Sequence, residues 1–340
     1  MKAKQIIFTK PSTAELQAVE VDLANLGPNE LAIKTHYSLI SPGTELACFR
    51  GTEGWAKLPM APGYAGCGEV IATGKDVKDF KTGDMVFSYT KHASHVKTGR
   101  MVAKLPAGLE SRLAPFARMA AVSITALRVS NAELGDHVAV LGLGLVGNFA
   151  AQLFTLAGCE VIGIDPSDRR RELAKTCGAR HVIAPAEEDA KKRVAEITKG
   201  RMCGTVVEAS GAPAVGEKAA QLAGRLGEVI LVGSPRGEHP GDITALLNSI
   251  HLWGSGCVTF KGAHEWRYPI DRDPNGHVKH SIMRNVDILL RLIAEGRLRV
   301  RELLTHVLPP TQCMTAYEGL RDTKDEYLGV LFDWTTEGRG

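Results

Sequence analysis

Between an apolar strand-like run, HVAVLGL, and a helix-like run, VGNFAAQLF, the chain carries G-L-G-L-V-G, with glycines at Gly142, Gly144 and Gly147. Strand, glycine turn and helix in this order predict a βαβ unit that binds a dinucleotide. Gly142 permits the tight turn, Gly144 lets the backbone approach a pyrophosphate, and Gly147 allows close packing of helix on strand. The N–H groups opening the helix at Leu145 and Val146 then face the anion. The next strand-like run, EVIGID, ends at Asp165, 23 residues after Gly142. A carboxylate there accepts hydrogen bonds from both hydroxyls of an adenosine ribose and repels a 2′-phosphate, which favours NAD over NADP. Arg169, Arg170 and Arg171 follow directly and are placed to offer the competing phosphate site, Arg170 foremost.

The same alternation continues on both sides of this unit. Apolar runs (TVVEAS, EVILVGS) alternate with helical stretches (SDRRRELAKTCGA, AVGEKAAQLA), the pattern of a parallel sheet covered on both faces. Before it, to about residue 122, short β-type runs are punctuated by Gly and Pro, as in a small irregular β-rich domain. After it, Val286, Leu289, Leu290 and Ile293 fall at i, i+3, i+4 and i+7 and predict a helix that Gly296 ends. The α/β chain therefore divides into 1–122, 123–265 and 266–340, the last segment returning to complete the first domain. His251 and Trp253 read as the start of an apolar strand in the core or at a dimer edge.

With 340 residues the chain is long enough for two domains. Its 41 basic and 38 acidic residues are too balanced for a protein whose task is gripping phosphate backbones, so no nucleic-acid partner is expected. No run approaches the ~20 apolar residues of a membrane span, and the amino terminus lacks signal-peptide character, so a cytoplasmic protein without a membrane partner is expected. Seven cysteines without a C-x-x-C pair argue against a disulfide framework and a four-cysteine zinc lobe.

GPNELAIK, PGYAGCGEVIATGKDVKDFKTGDMV, the S-I-T-A-L helix, GLGLVG, VVEASG and EVILVGSPRG together give nearly the whole chain a resemblance to the medium-chain dehydrogenase/reductase superfamily. That resemblance implies a GroES-like β-rich domain that binds substrate and a Rossmann domain that binds the nicotinamide cofactor. It also implies a homodimer, which the strand around LWGSGCV would join edge to edge. Zinc-dependent members carry a Cys in a C-x-T-D-type turn, a G-H-E motif and a later Cys or Glu; here the matching places hold Pro42, Gly63-Tyr64-Ala65 and Ala121. These residues offer no zinc ligand, so the resemblance is to a zinc-independent member.

Without a metal, side chains must polarise the substrate oxygen and move its proton. By resemblance, Thr44 is the hydroxyl that relays a proton between substrate and ribose, Tyr64 replaces a zinc-ligand histidine, and Glu45 is the carboxylate behind them. Tyr89, Lys91, His92 and His95 lie on the stretch that borders the pocket; either histidine is suited to acid/base work near neutral pH, and a lysine could lower the phenol pKa of Tyr64. Packing and turn-capping roles remain open for Tyr64 and Thr44. For the cofactor, Thr125 matches the residue beneath the nicotinamide, Ser210 and Gly211 lie beside the adenosine ribose, and Gly233 and Ser234 face the carboxamide. His264, Trp266, Arg267, Tyr268, His277 and His280 fit no compact metal set and read as a solvated loop or substrate lid.

Three functions compete. The first is NAD-dependent interconversion of a secondary alcohol and a ketone on a small polyol, sugar or cyclitol-like substrate, since the pocket residues are rich in donors and acceptors. The second is an NADPH-dependent quinone or enoyl reductase. The third is a non-catalytic dinucleotide-binding sensor or structural protein.

Overall fold

The computed structural model describes residues 1–336. Its centre is a six-stranded, wholly parallel sheet in the spatial order His181–Ile183, Glu160–Ile164, His137–Leu141, Cys203–Glu208, Ala223–Leu231, Thr259–Gly262. Counted along the chain, that order is 3-2-1-4-5-6, the Rossmann arrangement, with its ligand crevice where the order reverses beside the first strand. The first strand explains why such runs are apolar throughout. Val138 and Val140 enter one core with Ala150 and Phe154, while Ala139 and Leu141 enter another with Ile162, Ile164 and Val194. Both faces are dry, so period-two alternation is lost.

Helix Leu145–Leu156 is apolar nearly all round because it too is covered twice: Ala150, Ala151 and Phe154 pack on the sheet, while Leu145, Phe149 and Leu153 join the second core. That core is shared with a seven-stranded sheet ordered Leu304–Leu308, Gly329–Asp333, Leu31–Leu39, Gly66–Thr73, Met85–Ser88, Val102–Lys104, with His95–Thr98 also pairing to Leu31–Leu39. The two strands after residue 300 thus return to the amino-terminal sheet, with Gly329–Asp333 antiparallel to Leu31–Leu39. Helix Ile282–Ala294 buries Val286, Leu289, Leu290 and Ile293 and ends at Gly296, which takes φ +67°. Among the described residues no helix is long and apolar enough to cross a membrane.

Two expectations change. The run read as a strand from His251 is the end of helix Ile243–His251, followed by a short turn at Trp253–Ser255; the edge strand is Thr259–Gly262. Asp242 starts that helix by accepting the Ala245 N–H at 3.0 Å, and the helix buries none of its residues. The segment ISPGTEL is no turn either, because Pro42 opens helix Pro42–Arg50, its fixed φ suited to a first helical position. The boundary at 122/123 falls within helix Ala117–Val129, and that at 265/266 within the turn Glu265–Arg267.

The glycine fingerprint has the geometry its spacing predicts. Gly142 has φ +84°, and a Cβ on Gly147 would overlap the carbonyl oxygen of Gly142. Gly147→Ala must therefore push helix from turn, and about 1–3 kcal/mol of stability is the expected loss from such overpacking. Thermal unfolding checks this: the variant should melt lower than the parent.

Candidate active site

A cleft of about 1320 Å³ runs from the glycine turn to the amino-terminal sheet domain. At the dinucleotide end its walls include Gly142, Gly144, Leu145, Val146, Asp165, Arg170, Ser210, Gly211, Gly233 and Ser234. Asp165 is almost buried, accepting the N–H groups of Leu143 at 2.7 Å and Ser167 at 2.9 Å, with Arg170 NH1 3.9 Å away. The carboxylate thus braces the glycine turn from the end of the second strand. Glu208, which the sequence reading passed over within VVEASG, does the same for the opposite wall. Its carboxylate accepts from the Ser210 and Gly211 backbone N–H groups and the Ser210 hydroxyl, fixing that loop. Arg236, beyond Ser234, crosses the cleft to Glu53 at 2.8 Å.

Gly147 and Thr125 do not reach the cleft wall. Gly147 packs behind the turn, and Thr125 is fully buried with its hydroxyl spent on the carbonyl of Ala121 at 3.1 Å. Helix Ala117–Val129 presents Arg118, Met119 and Val122 to the cleft instead. Ser123 ties this helix to the fingerprint by donating to the Val146 carbonyl at 2.7 Å.

At the other end, Ser41, Thr44, Tyr64, Arg118, Glu265 and Trp266 converge. The Arg118 guanidinium is sandwiched, its carbon 4.7 Å from the ring centres of both Tyr64 and Tyr89. Its NH1 lies 2.8 Å from Glu265 Oε2, and the Tyr89 hydroxyl donates to Glu265 Oε1 at 2.5 Å. Burial by itself lowers the Arg118 pKa, but Tyr89, Glu265 and Tyr64 outweigh it and hold the guanidinium above its ordinary value. Burial, reinforced by Glu45, raises the Tyr64 phenol, against the opposing influence of Arg118, Ser41 and Thr44. Burial also lifts Tyr89 well above the usual phenol range. Tyr64 is therefore a protonated donor at neutral pH.

The remaining candidates lie elsewhere. Glu45 faces away from the cleft and forms a buried hub, accepting the Ser41 N–H at 2.8 Å and the Tyr317 hydroxyl at 2.7 Å, with His92 Nε2 at 2.9 Å. His92 is wholly enclosed, its Nδ1 2.7 Å from Ser38 Oγ, and cannot meet a substrate. Lys91 is exposed and outside the cleft wall, and what shifts the Tyr64 phenol is burial together with Glu45, Arg118, Ser41 and Thr44, not Lys91. His95 sits on strand His95–Thr98, away from the wall, with burial holding its pKa below the ordinary value. Of the presumed loop, His264 and Trp266 line the cleft, while His280 bonds Arg284 at 3.2 Å.

Arg118 and Glu265 went unread in the sequence. A single arginine inside the apolar stretch LAPFARMAAVSITAL was the available signal, since a charge is buried only with a partner. No local signal marked Glu265. For metals, the three places expected of zinc ligands hold Pro42, Tyr64 and Ala121, and among the described residues no three His, Cys, Asp or Glu side chains converge. The donor set does not fit a catalytic zinc.

A crevice for a dinucleotide opening onto a polar, donor-rich pocket is the plan of a nicotinamide-type oxidoreductase. Comparisons agree. Residues 27–191 match the alcohol dehydrogenase GroES-like domain and residues 146–272 match the zinc-binding dehydrogenase domain. An alcohol dehydrogenase of Geobacillus stearothermophilus is 30% identical over 295 residues, 76% of this chain and 85% of that one. A D-guloside 3-dehydrogenase of Escherichia coli is 28% identical over 236 residues, 61% of this chain and 67% of its own. The crystal structure of an Escherichia coli oxidoreductase/dehydrogenase of unknown specificity superposes with TM-score 0.83 at 20% identity, over 98% of this chain and 99% of the other. The chain belongs to the alcohol dehydrogenase family of medium-chain dehydrogenases/reductases and is an oxidoreductase acting on CH–OH groups.

Replacing Glu45 by Ala strands His92 and Tyr317 in the core. Removing one member of a buried charged network costs roughly 3–5 kcal/mol, so denaturant unfolding should show a loss of that order. His95→Ala, away from the cleft, should leave activity within about twofold of the parent.

Proposed function

We propose that this protein interconverts a secondary alcohol and a ketone with NAD, without zinc, on a neutral polyol, sugar or cyclitol-like substrate. The observation that carries the reading is Tyr64: a protonated phenol in the cleft, beside Thr44 and under a fixed cation, where zinc-dependent relatives of the superfamily place a metal ligand. The catalytic domain comprises 1–122 with 266–340, and the dinucleotide domain 123–265.

The residues suit a nicotinamide dinucleotide. Gly142, Gly144, Leu145 and Val146 would cradle its pyrophosphate, Asp165 its adenosine ribose, and Gly233 and Ser234 its carboxamide end. When bound, the nicotinamide supplies the hydride acceptor for oxidation and the donor for reduction. Asp165 beside the ribose favours NAD; Arg170 lies within reach, 3.9 Å from both Asp165 and Asp325 and donating to the Lys324 carbonyl at 3.0 Å.

In reduction, Tyr64 Oη donates its hydrogen bond to the carbonyl oxygen and yields its proton as the alkoxide forms. Thr44 and Ser41 hydroxyls, adjacent to the phenol, return a proton from water. Oxidation runs the same path backwards, with the substrate hydroxyl passing its proton to the Tyr64 oxygen. Arg118, stacked on the ring, stabilises the phenolate that this exchange creates.

A second observation supports a homodimer. Ile243, Leu247, Ile250, Leu252 and Trp253 are exposed together on one helix and turn, near edge strand Thr259–Gly262. An apolar surface of this kind is suited to a second copy of the chain. Light scattering should give twice the chain mass, and Leu247→Lys should shift it to the monomer.

For the chemistry, a polyol and sugar panel with NAD or NADP should yield NADH absorbance preferentially. Tyr64→Phe should cut kcat by about 10²–10⁴-fold, the range of a lost general acid or base, with KM little changed. Because the phenol pKa is raised, the ketone-reduction rate should stay flat between about pH 6 and 9. A bell centred near pH 7 would instead implicate a histidine.

A further inference from the structure

Arg118 is only 7% exposed, yet it lines the cleft. Burying a guanidinium is costly unless its charge and its N–H donors are both satisfied. The charge is satisfied: Glu265 lies at 2.8 Å and two aromatic faces enclose the group. The donors are not. Nε and NH1 have no hydrogen-bond partner among the described residues, nor does Glu265 Oε2, because the ion pair is close but poorly directed. The pair is electrically complete and short of hydrogen bonds.

Two features fix what could supply them. Arg118 and Glu265 cancel in charge, so a substrate carboxylate or phosphate arriving here would meet the glutamate as well as the arginine. A hydroxyl group meets both productively, accepting from the guanidinium while donating to the carboxylate. The guanidinium also lies over the Tyr64 ring, not at its oxygen. Tyr64 Oη and Arg118 therefore address different atoms of one ligand.

We propose that Arg118 and Glu265 form a specificity subsite for a neutral hydroxyl next to the reacting carbinol, so that the substrate class is a vicinal diol. This deepens the alcohol dehydrogenase reading and rests on it. Arg118 would contact substrate; Glu265, braced by Tyr89, positions it and shares the hydroxyl.

The test compares butane-2,3-diol, butan-2-ol and lactate with the parent chain and the double variant R118M/E265Q, which removes both charges and leaves neither buried alone. Calorimetric binding to the NADH-saturated protein and kcat/KM are measured in parallel. The parent should prefer the diol to the mono-alcohol by about ten- to a hundredfold, the yield of one or two hydrogen bonds to charged groups, and should bind lactate no better than butan-2-ol. In the double variant turnover of both alcohols should fall, since Arg118 also steadies the Tyr64 phenolate, but the diol-to-mono-alcohol ratio of kcat/KM should drop below about threefold, through the diol KM. Equal preference in both proteins, a parent that favours butan-2-ol, or tight lactate binding would overturn the subsite. Diol-selective binding without NADH formation from any alcohol would keep the subsite and overturn the dehydrogenase reading.

Discussion

The ion pair between Arg118 and Glu265 joins the parts of this protein that must meet for chemistry. Arg118 begins helix Ala117–Val129, whose Ser123 is hydrogen-bonded to the glycine-loop helix. Glu265 follows the last strand of the parallel sheet, on the segment that leads back to the amino-terminal sheet. Among the described residues Glu265 is the carboxylate paired with the guanidinium that Tyr64 and Tyr89 enclose, so the pair holds the crossing segment at the inner wall of the cleft. Breaking such a pair by removing one partner leaves a buried charge, typically a loss of about 3–5 kcal/mol.

Around that pair the polar groups divide by task. Glu45, His92, Ser38, Tyr317 and Trp334 form a closed network that satisfies itself and fastens helix Pro42–Arg50 to the carboxy-terminal segment. Asp165 and Glu208 spend their oxygens on backbone N–H groups, shaping the two loops of the dinucleotide crevice. At the substrate end of the cleft, Arg118 Nε and NH1 and Glu265 Oε2 are buried polar atoms without a hydrogen-bond partner among the described residues, beside Thr44 and Tyr64. A network that is saturated gives rigidity, whereas one that is short of partners is ready for a ligand.

The dinucleotide crevice was legible in the sequence because its demands are local. Gly142, Gly147 and Asp165 are required by backbone geometry within one βαβ unit, and their spacing reports that geometry directly. The substrate end was legible only in part. Tyr64 and Thr44 reach the cleft as expected, but Thr125 points to the core, since one helical turn decides whether Val122 or Thr125 meets the cavity. His92 was misread because a place on a pocket-bordering stretch does not tell which side of the sheet an imidazole takes, and this one is enclosed in the core. Arg118 and Glu265 are 147 residues apart, and only the fold brings them together.

On the proposed function, side chains, with Tyr64 foremost, would take the role that zinc performs in zinc-dependent members of the superfamily. Elemental analysis of freshly purified protein, run alongside polyol-dependent NADH formation before and after exhaustive chelation, tests it most directly. The expected result is substoichiometric zinc and a rate that chelation leaves unchanged. One zinc per chain, with activity lost on chelation and restored by the metal, would contradict it.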